Sequence, residues 1–172
     1  MKTYPNLEKA RARAATMKRS ETAERRRTLK DICAYAKQAI ENIEVAKIAL
    51  AMLYLGEGSK SRKKSIVTFA NSDPKVIALF LRLLRASFRL DERKFRCTVQ
   101  CRADQDSDDL RSYWMTITEV PIELFYKTQV DPRTVGKPTL KPDYKGVLRI
   151  DYLSSMLFNE LLLIAETLCE GR

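Results

Sequence analysis

Histidine is absent from the 172 residues. That excludes Ser-His-Asp and Cys-His nucleophilic schemes and the usual zinc catalytic sites. Hydrolysis would have to rest on carboxylates with hard metals, or on lysine and tyrosine. No run of eighteen apolar residues occurs, so no membrane span and no membrane partner is expected. No apolar stretch follows the lysine near the N-terminus, so no signal peptide is expected. The four cysteines, Cys33, Cys97, Cys101 and Cys169, form no C-x-x-C pair, which argues against a zinc ribbon. Cys97 and Cys101 share one face of a strand-like run and read as small buried apolar residues. Without a secretion signal, the reducing cytoplasm is the expected compartment, with the protein at the nucleoid when bound to DNA. No internal repeat is visible.

What is present is positive charge. The chain carries 32 Lys/Arg against 22 Asp/Glu, a net charge of +10. A balance of this size favours a polyanion, most often nucleic acid; a soluble protein that is merely basic is the alternative. Residues 1–30 hold ten Lys/Arg against three Asp/Glu, densest at Arg25, Arg26 and Arg27. The apolar residues there are mostly alanine, so residues 1–41 read as a basic helical N-terminal arm with little core. A solvated, frayed helix is the other reading of that segment.

From Thr28 to Leu55 helical spacing strengthens, through Ile32, Tyr35, Ala36, Ala39, Ile40 and Ile43, with a break near Asn42. A second apolar run, Val45 to Leu55, stops at Gly56-Glu57-Gly58. Ile66–Asn71 reads as a strand. Ser72-Asp73-Pro74 opens an amphipathic helix with Val76, Ile77, Phe80, Leu83, Leu84 and Phe88 on its apolar side.

Phe95–Arg102 alternates strictly, with Phe95, Cys97, Val99 and Cys101 inward and Arg96, Thr98, Gln100 and Arg102 outward. Asp104 to Asp109 caps a further helix with Leu110, Tyr113, Trp114 and Ile117 inward. Its acids superficially suggest a calcium loop, but the sixth-position glycine is missing and Met115 stands where the bidentate glutamate belongs. Residues 127–145 read as loop. Gly146–Tyr152 reads as a strand with Leu148, Ile150 and Tyr152 on one face and Lys145, Val147, Arg149 and Asp151 on the other. Leu153–Leu168 reads as a closing helix.

The run Leu50-Ala51-Met52-Leu53-Tyr54-Leu55-Gly56-Glu57-Gly58-Ser59 resembles the LAGLIDADG signature of homing endonucleases. It is most similar to single-motif members with a Y-L-G-E-G-S-K box, a downstream N-S-D-P and a later Y-K-G. The matches are Tyr54 to Lys60, Asn71 to Pro74 and Tyr144 to Gly146, and the resemblance covers roughly residues 42–168. It implies an α/β (α+β) fold over residues 42–172: helices with an antiparallel β-sheet saddle that lies along the major groove. One motif per chain implies a homodimer reading a near-palindromic site. Its interface would be built from Ala49, Leu50, Met52, Leu53 and Gly56.

The resemblance places Glu57 at the family's metal-binding acid, with Gly56 beside it and Mg²⁺ or another divalent cation as the expected cofactor. Two departures stand out. Leu55 occupies the family's first acid position, and Met52 replaces a small residue of the helix contact. Glu57 also reads simply as a solvated acid after a helix end. The saddle reading assigns DNA contacts to Ser59, Lys60, Arg62, Lys63 and Lys64 beside the turn. It adds Arg96, Thr98, Gln100, Arg102, Lys145 and Arg149 on the sheet. A solvent-facing sheet side would also look polar. Three functions remain open: an intron-, intein-associated or free-standing DNA endonuclease, a non-cleaving DNA-binding regulator on the same fold, and an RNA-binding maturase.

Overall fold

The second helix is apolar nearly all the way round, and this decides where everything after it packs. The computed structural model describes residues 5–61, 63 and 65–170. They divide into two units, Met1–Asn42 and Ile43–Arg172. The first is one helix, α1 (Pro5–Ala39), and every residue from Arg13 to Gln38 is exposed. Its large apolar side chains, Met17, Leu29, Ile32 and Tyr35, are all exposed, so among the described residues the helix builds no core.

The second unit is a mixed α+β domain. Helix α2 (Ile43–Glu57) buries Ala46, Leu50, Ala51 and Tyr54 against α3 (Pro74–Ser87) and α5 (Ser155–Cys169). Local chemistry marks each boundary. Asp73 caps α3 by accepting from Lys75 N at 2.8 Å, and Pro74 sits at its first position. Asp106 accepts from the amides of Asp108 and Asp109 to start α4 (Ser107–Thr118). Ser154 accepts from Leu157 N to start α5.

Four strands form one sheet in the order β1-β4-β2-β3: β1 (Val67–Asn71), β2 (Phe95–Arg102), β3 (Gln129–Asp131) and β4 (Val147–Tyr152). β4 runs antiparallel to β1 and β2, but β3 is parallel to β2. The sheet is therefore mixed, which corrects the all-antiparallel expectation. The parallel strand lies within residues expected to be loop. It is three residues long and carries no alternation from which to read it.

Register brings Phe69, Ile150 and Cys97 into one row across the sheet. All three are buried. Phe69 stacks on Phe80 of α3 with ring centroids 4.1 Å apart, and Trp114 of α4 donates its Nε1 to Lys145 O at 2.7 Å. Fully burying one such aromatic or aliphatic side chain is worth ~1.5–3 kcal/mol. The aromatics and leucines of this layer therefore hold the unit together.

Cys97 and Cys101 belong to the same layer. Burial, with Asp151 nearby, pushes the Cys97 thiol up to about 12, and burial raises Cys101 as well. Cys33 and Cys169 are exposed. A thiolate is the reacting species. A chromogenic aromatic disulfide at pH 8 should therefore modify two thiols of the native protein quickly and four only after denaturation. Rapid modification of Cys97 in the native state, mapped by mass spectrometry, would contradict this packing.

Candidate nucleic-acid interface

The end of α2 is tied directly to the sheet. Gly58 N donates to Tyr54 O at 2.8 Å, and Gly58 pairs with Phe69 across an isolated bridge. A Cβ at residue 58 would lie 2.3 Å from the Tyr54 ring, so only glycine lets the chain pass there. The Tyr54 hydroxyl donates to Ser59 O at 2.5 Å. Its burial holds the phenol above its usual range.

This turn leaves Glu57 exposed at the β1 edge, where its Oε2 accepts from Asn71 Nδ2 at 3.3 Å. Asn71 Oδ1 in turn accepts from Asp73 N at 2.8 Å. One amide side chain thus links the carboxylate to the first turn of α3. The Asn71 to Pro74 box is identifiable in the sequence, but the bond to Glu57 is not. Among the described residues, no group of three Cys, Asp or Glu side chains gathers to hold a metal ion.

The other face of α2 is apolar and partly exposed. Val45, Ile48 and Met52 are 38%, 45% and 43% exposed, and Ala49 and Gly56 lie on the same stripe at i, i+3, i+4, i+7 and i+11. Leu53 and Leu55, both half-buried, flank it. A Cβ at Gly56 would meet no atom within 4 Å, so nothing inside the chain calls for a glycine there. A glycine within a helix costs about 1 kcal/mol relative to alanine. Leu50 does not belong to this stripe: it is fully buried on the opposite face, against the core. Spacing along an apolar helix cannot say which of two apolar faces looks inward. Val45 and Ile48 join the stripe in its place.

The sheet face opposite the helices carries Thr68, Asp151 and Arg96 in one row and Ala70, Arg149 and Thr98 in the next. Arg149 donates from Nε and Nη2 to Asp151 at 3.1 and 3.0 Å. Thr68 Oγ1 donates to the same carboxylate at 2.5 Å. Arg96 donates to the carbonyls of Arg93 and Phe95. Gln100 is exposed and donates to Gln129 Oε1 at 3.2 Å. Ser59, Ser61, Lys63, Ile66, Thr68 and Arg149 surround a hollow of about 320 Å³. Lys60 is exposed beside it. Arg62 and Lys64, assigned to the same surface, lie outside the described residues.

Two assigned contacts are corrected. Thr98 points to the outward face but is only 5% exposed, enclosed between longer side chains of the neighbouring strands. Lys145 leaves that face altogether: its ammonium lies 5.7 Å from the Tyr113 ring centroid on α4. Gly146, at φ 71, breaks the extended run between Lys145 and β4, so the alternation cannot be extended back through it.

At the far side of the sheet the loop of residues 132–146 walls a larger hollow of about 720 Å³. Gln100, Arg102, Lys137, Lys141 and Tyr144 line it. The loop is fastened at several points. Arg102 Nη2 donates to Lys137 O at 2.7 Å, and Gln105 Nε2 donates to Tyr144 O at 2.6 Å. Thr139 donates from N and Oγ1 to Asp104 and holds that carboxyl below its usual range. Lys137, Lys141 and Gln129 were not assigned from the sequence. Their only signal is the repeated Lys-Pro pair at 137–138 and 141–142, which carries no periodicity.

No protein-family model, curated protein or solved structure gives a significant match to the chain.

Gly146 and Gly136 make a controlled pair for the loop geometry. Both have positive φ, 71 and 72. A Cβ at 146 would lie 2.4 Å from Gln100 O, whereas one at 136 meets nothing within 4 Å. Gly136→Ala should cost about 1 kcal/mol in urea unfolding, and Gly146→Ala on the order of 3 kcal/mol because backbone overlap adds to the strained φ. Equal losses would mean that the close approach at Gly146 is wrong.

Proposed function

We propose that the chain is a DNA-binding protein of the single-motif LAGLIDADG type that acts as a homodimer and cleaves duplex DNA with a divalent cation held at Glu57. The observation that carries this reading is the partly exposed apolar stripe of Ile48, Ala49 and Met52 on α2, ending at Gly56 and followed immediately by Glu57. A second copy of the same stripe is its natural cover, since a twofold contact is self-complementary. Gly56 then permits close approach of the two helices where they end, and the two Glu57 carboxylates emerge together.

The donor chemistry fits Mg²⁺. Glu57 offers a hard, exposed carboxylate oxygen, and Mg²⁺ is content with one or two carboxylates plus phosphate and water. The last-turn carbonyl of Gly56 is a further hard donor. When bound, such an ion neutralises charge developing on the phosphate and lowers the pKa of a bound water. Glu57 holds the ion, and Asn71 orients Glu57. Lys60, Lys63 and the outward arginines bring phosphates to the surface. Gln100 and Arg96 are the outward side chains on β2 with reach and donors for base edges. Arg149 and Arg102 are engaged by protein acceptors and shape the surface first.

A second reading is supported by the Glu57 surroundings: among the described residues no group of three Cys, Asp or Glu side chains gathers there, and the same dimer would then serve as a non-cleaving DNA-binding regulator.

Sedimentation velocity at micromolar concentration should give a dimer. Ile48→Asp/Met52→Asp should give a folded monomer with unchanged circular dichroism. A wild-type monomer both with and without DNA would sink the proposal. With Mg²⁺ and a plasmid library the wild type should produce defined breaks. Glu57→Gln should reduce cleavage by about 10²–10³-fold, the several kcal/mol that metal-assisted charge stabilisation supplies, and leave DNA affinity nearly unchanged. Sequence-selective binding by the wild type with no breaks would establish the regulator instead.

A further inference from the structure

Helix α1 sorts its charge by face. Lys18, Arg19, Arg26, Arg27 and Lys30 share one half of the helix surface, interleaved with the short side chains of Ala15, Thr22 and Ala23. The Thr22 hydroxyl is turned back to Lys18 O at 2.7 Å, so it makes no polar demand of its own. At 100° per residue, Glu21, Glu24 and Asp31 fall on the other side of the helix. Among the described residues none of the five cations takes part in a side-chain ion pair. Five unneutralised charges within ~18 Å of helix, at ~1.5 Å per residue, repel one another unless an anion lies along them.

Three kinds of partner are distinguished by what the helix lacks. A membrane surface requires an apolar face opposite the cations, and α1 presents acids there. A protein core requires an apolar stripe, and between Arg13 and Asp31 the large apolar residues are Met17 and Leu29, 63% and 52% exposed and about 120° apart around the helix at ~100° per residue, so they form no stripe. Double-stranded RNA has a major groove too narrow and deep to admit a helix. The B-DNA major groove, about 12 Å wide, admits one.

We infer that α1 is a second DNA-contacting element, separate from the sheet. It lies in or along the major groove of a DNA duplex, with Lys18, Arg19, Arg26, Arg27 and Lys30 on phosphates and base edges and Ala15, Thr22 and Ala23 allowing close approach. The inference rests on the DNA-binding reading above and assigns to α1 a share of affinity that the sheet does not supply.

The test uses the full chain and a 30-base-pair random-sequence DNA duplex, followed by fluorescence anisotropy from 50 to 400 mM KCl. Each phosphate contact contributes ~0.9 to the slope of log K against log salt. The variant Lys18→Gln/Arg19→Gln/Arg26→Gln/Arg27→Gln/Lys30→Gln keeps good helix formers. It should lower the slope by about 4 and the affinity at 100 mM KCl by more than about 100-fold. Glu21→Lys/Glu24→Lys adds two cations to the opposite face and should change the slope by less than about 1.

If the quintuple variant binds like the wild type, α1 is not a contact element and the sheet reading stands. If the wild type shows no salt-dependent duplex binding, both readings fall. A slope that rises by about 2 with Glu21→Lys/Glu24→Lys would mean diffuse charge rather than a defined face and would overturn the inference. Equal competition by an RNA duplex of the same sequence would overturn the groove assignment.

Discussion

The structure depends on one helix being apolar on two opposite sides. The inward side of α2 supplies Leu50 and Tyr54 to a core shared with α3 and α5. The outward side leaves Ile48 and Met52 nearly half exposed. Hydrophobic burial is non-directional and follows the area removed from water, so in the proposed dimer the exposed Ile48 and Met52 supply the drive toward association. The drive has an orientation because Gly58 fits tightly beneath the Tyr54 ring and stitches the helix end to β1. In the proposed dimer the partner that covers the stripe would therefore lie beside Glu57.

The outward sheet face is a network rather than a row of free cations. Asp151 is nearly buried and takes hydrogen bonds from Thr68 and Arg149 together. Arg102 anchors the loop of residues 132–146. Free reach is left to Gln100, Lys60 and Lys63 and to the lysines of that loop. Rigidity is gained this way at some cost in available charge, an arrangement that suits positioning more than attraction. The sorted cations of α1 complement it, because long-range attraction depends on the number of unpaired charges.

Much of the fold was legible in the sequence wherever a short-range rule operates. The Asp73-Pro74 cap, the break near Asn42 and the alternation of β2 follow from backbone hydrogen bonding and side-chain period, and each is present. The misreadings fall where a residue's environment is set by distant neighbours. Thr98 is outward by period yet hidden by its cross-strand neighbours. Lys145 was carried onto the sheet by extending an alternation through Gly146. The resemblance places Leu50 at an interface, but on a helix apolar on both faces the core takes that side. β3 is recruited by the Cys97–Phe125 bridge and the adjoining loop rather than by its own sequence. The bond between Asn71 and Glu57 lies in the same class, since it joins residues fourteen apart through a single amide.

The Arg149–Asp151 pair has a bearing on how this surface can change. Removing the arginine alone would leave a carboxylate that is only 6% exposed with the Thr68 hydroxyl as its remaining side-chain donor, a defect below the ~3–5 kcal/mol of a fully buried broken pair. Removing the acid alone would free a cation beside Thr68 and strip that hydroxyl of its acceptor. Positions 149 and 151 are consequently one unit of inheritance. A descendant with a different recognition surface would have to exchange both together, or route its change through Gln100 and the lysine-bearing loop, where no such debt is owed.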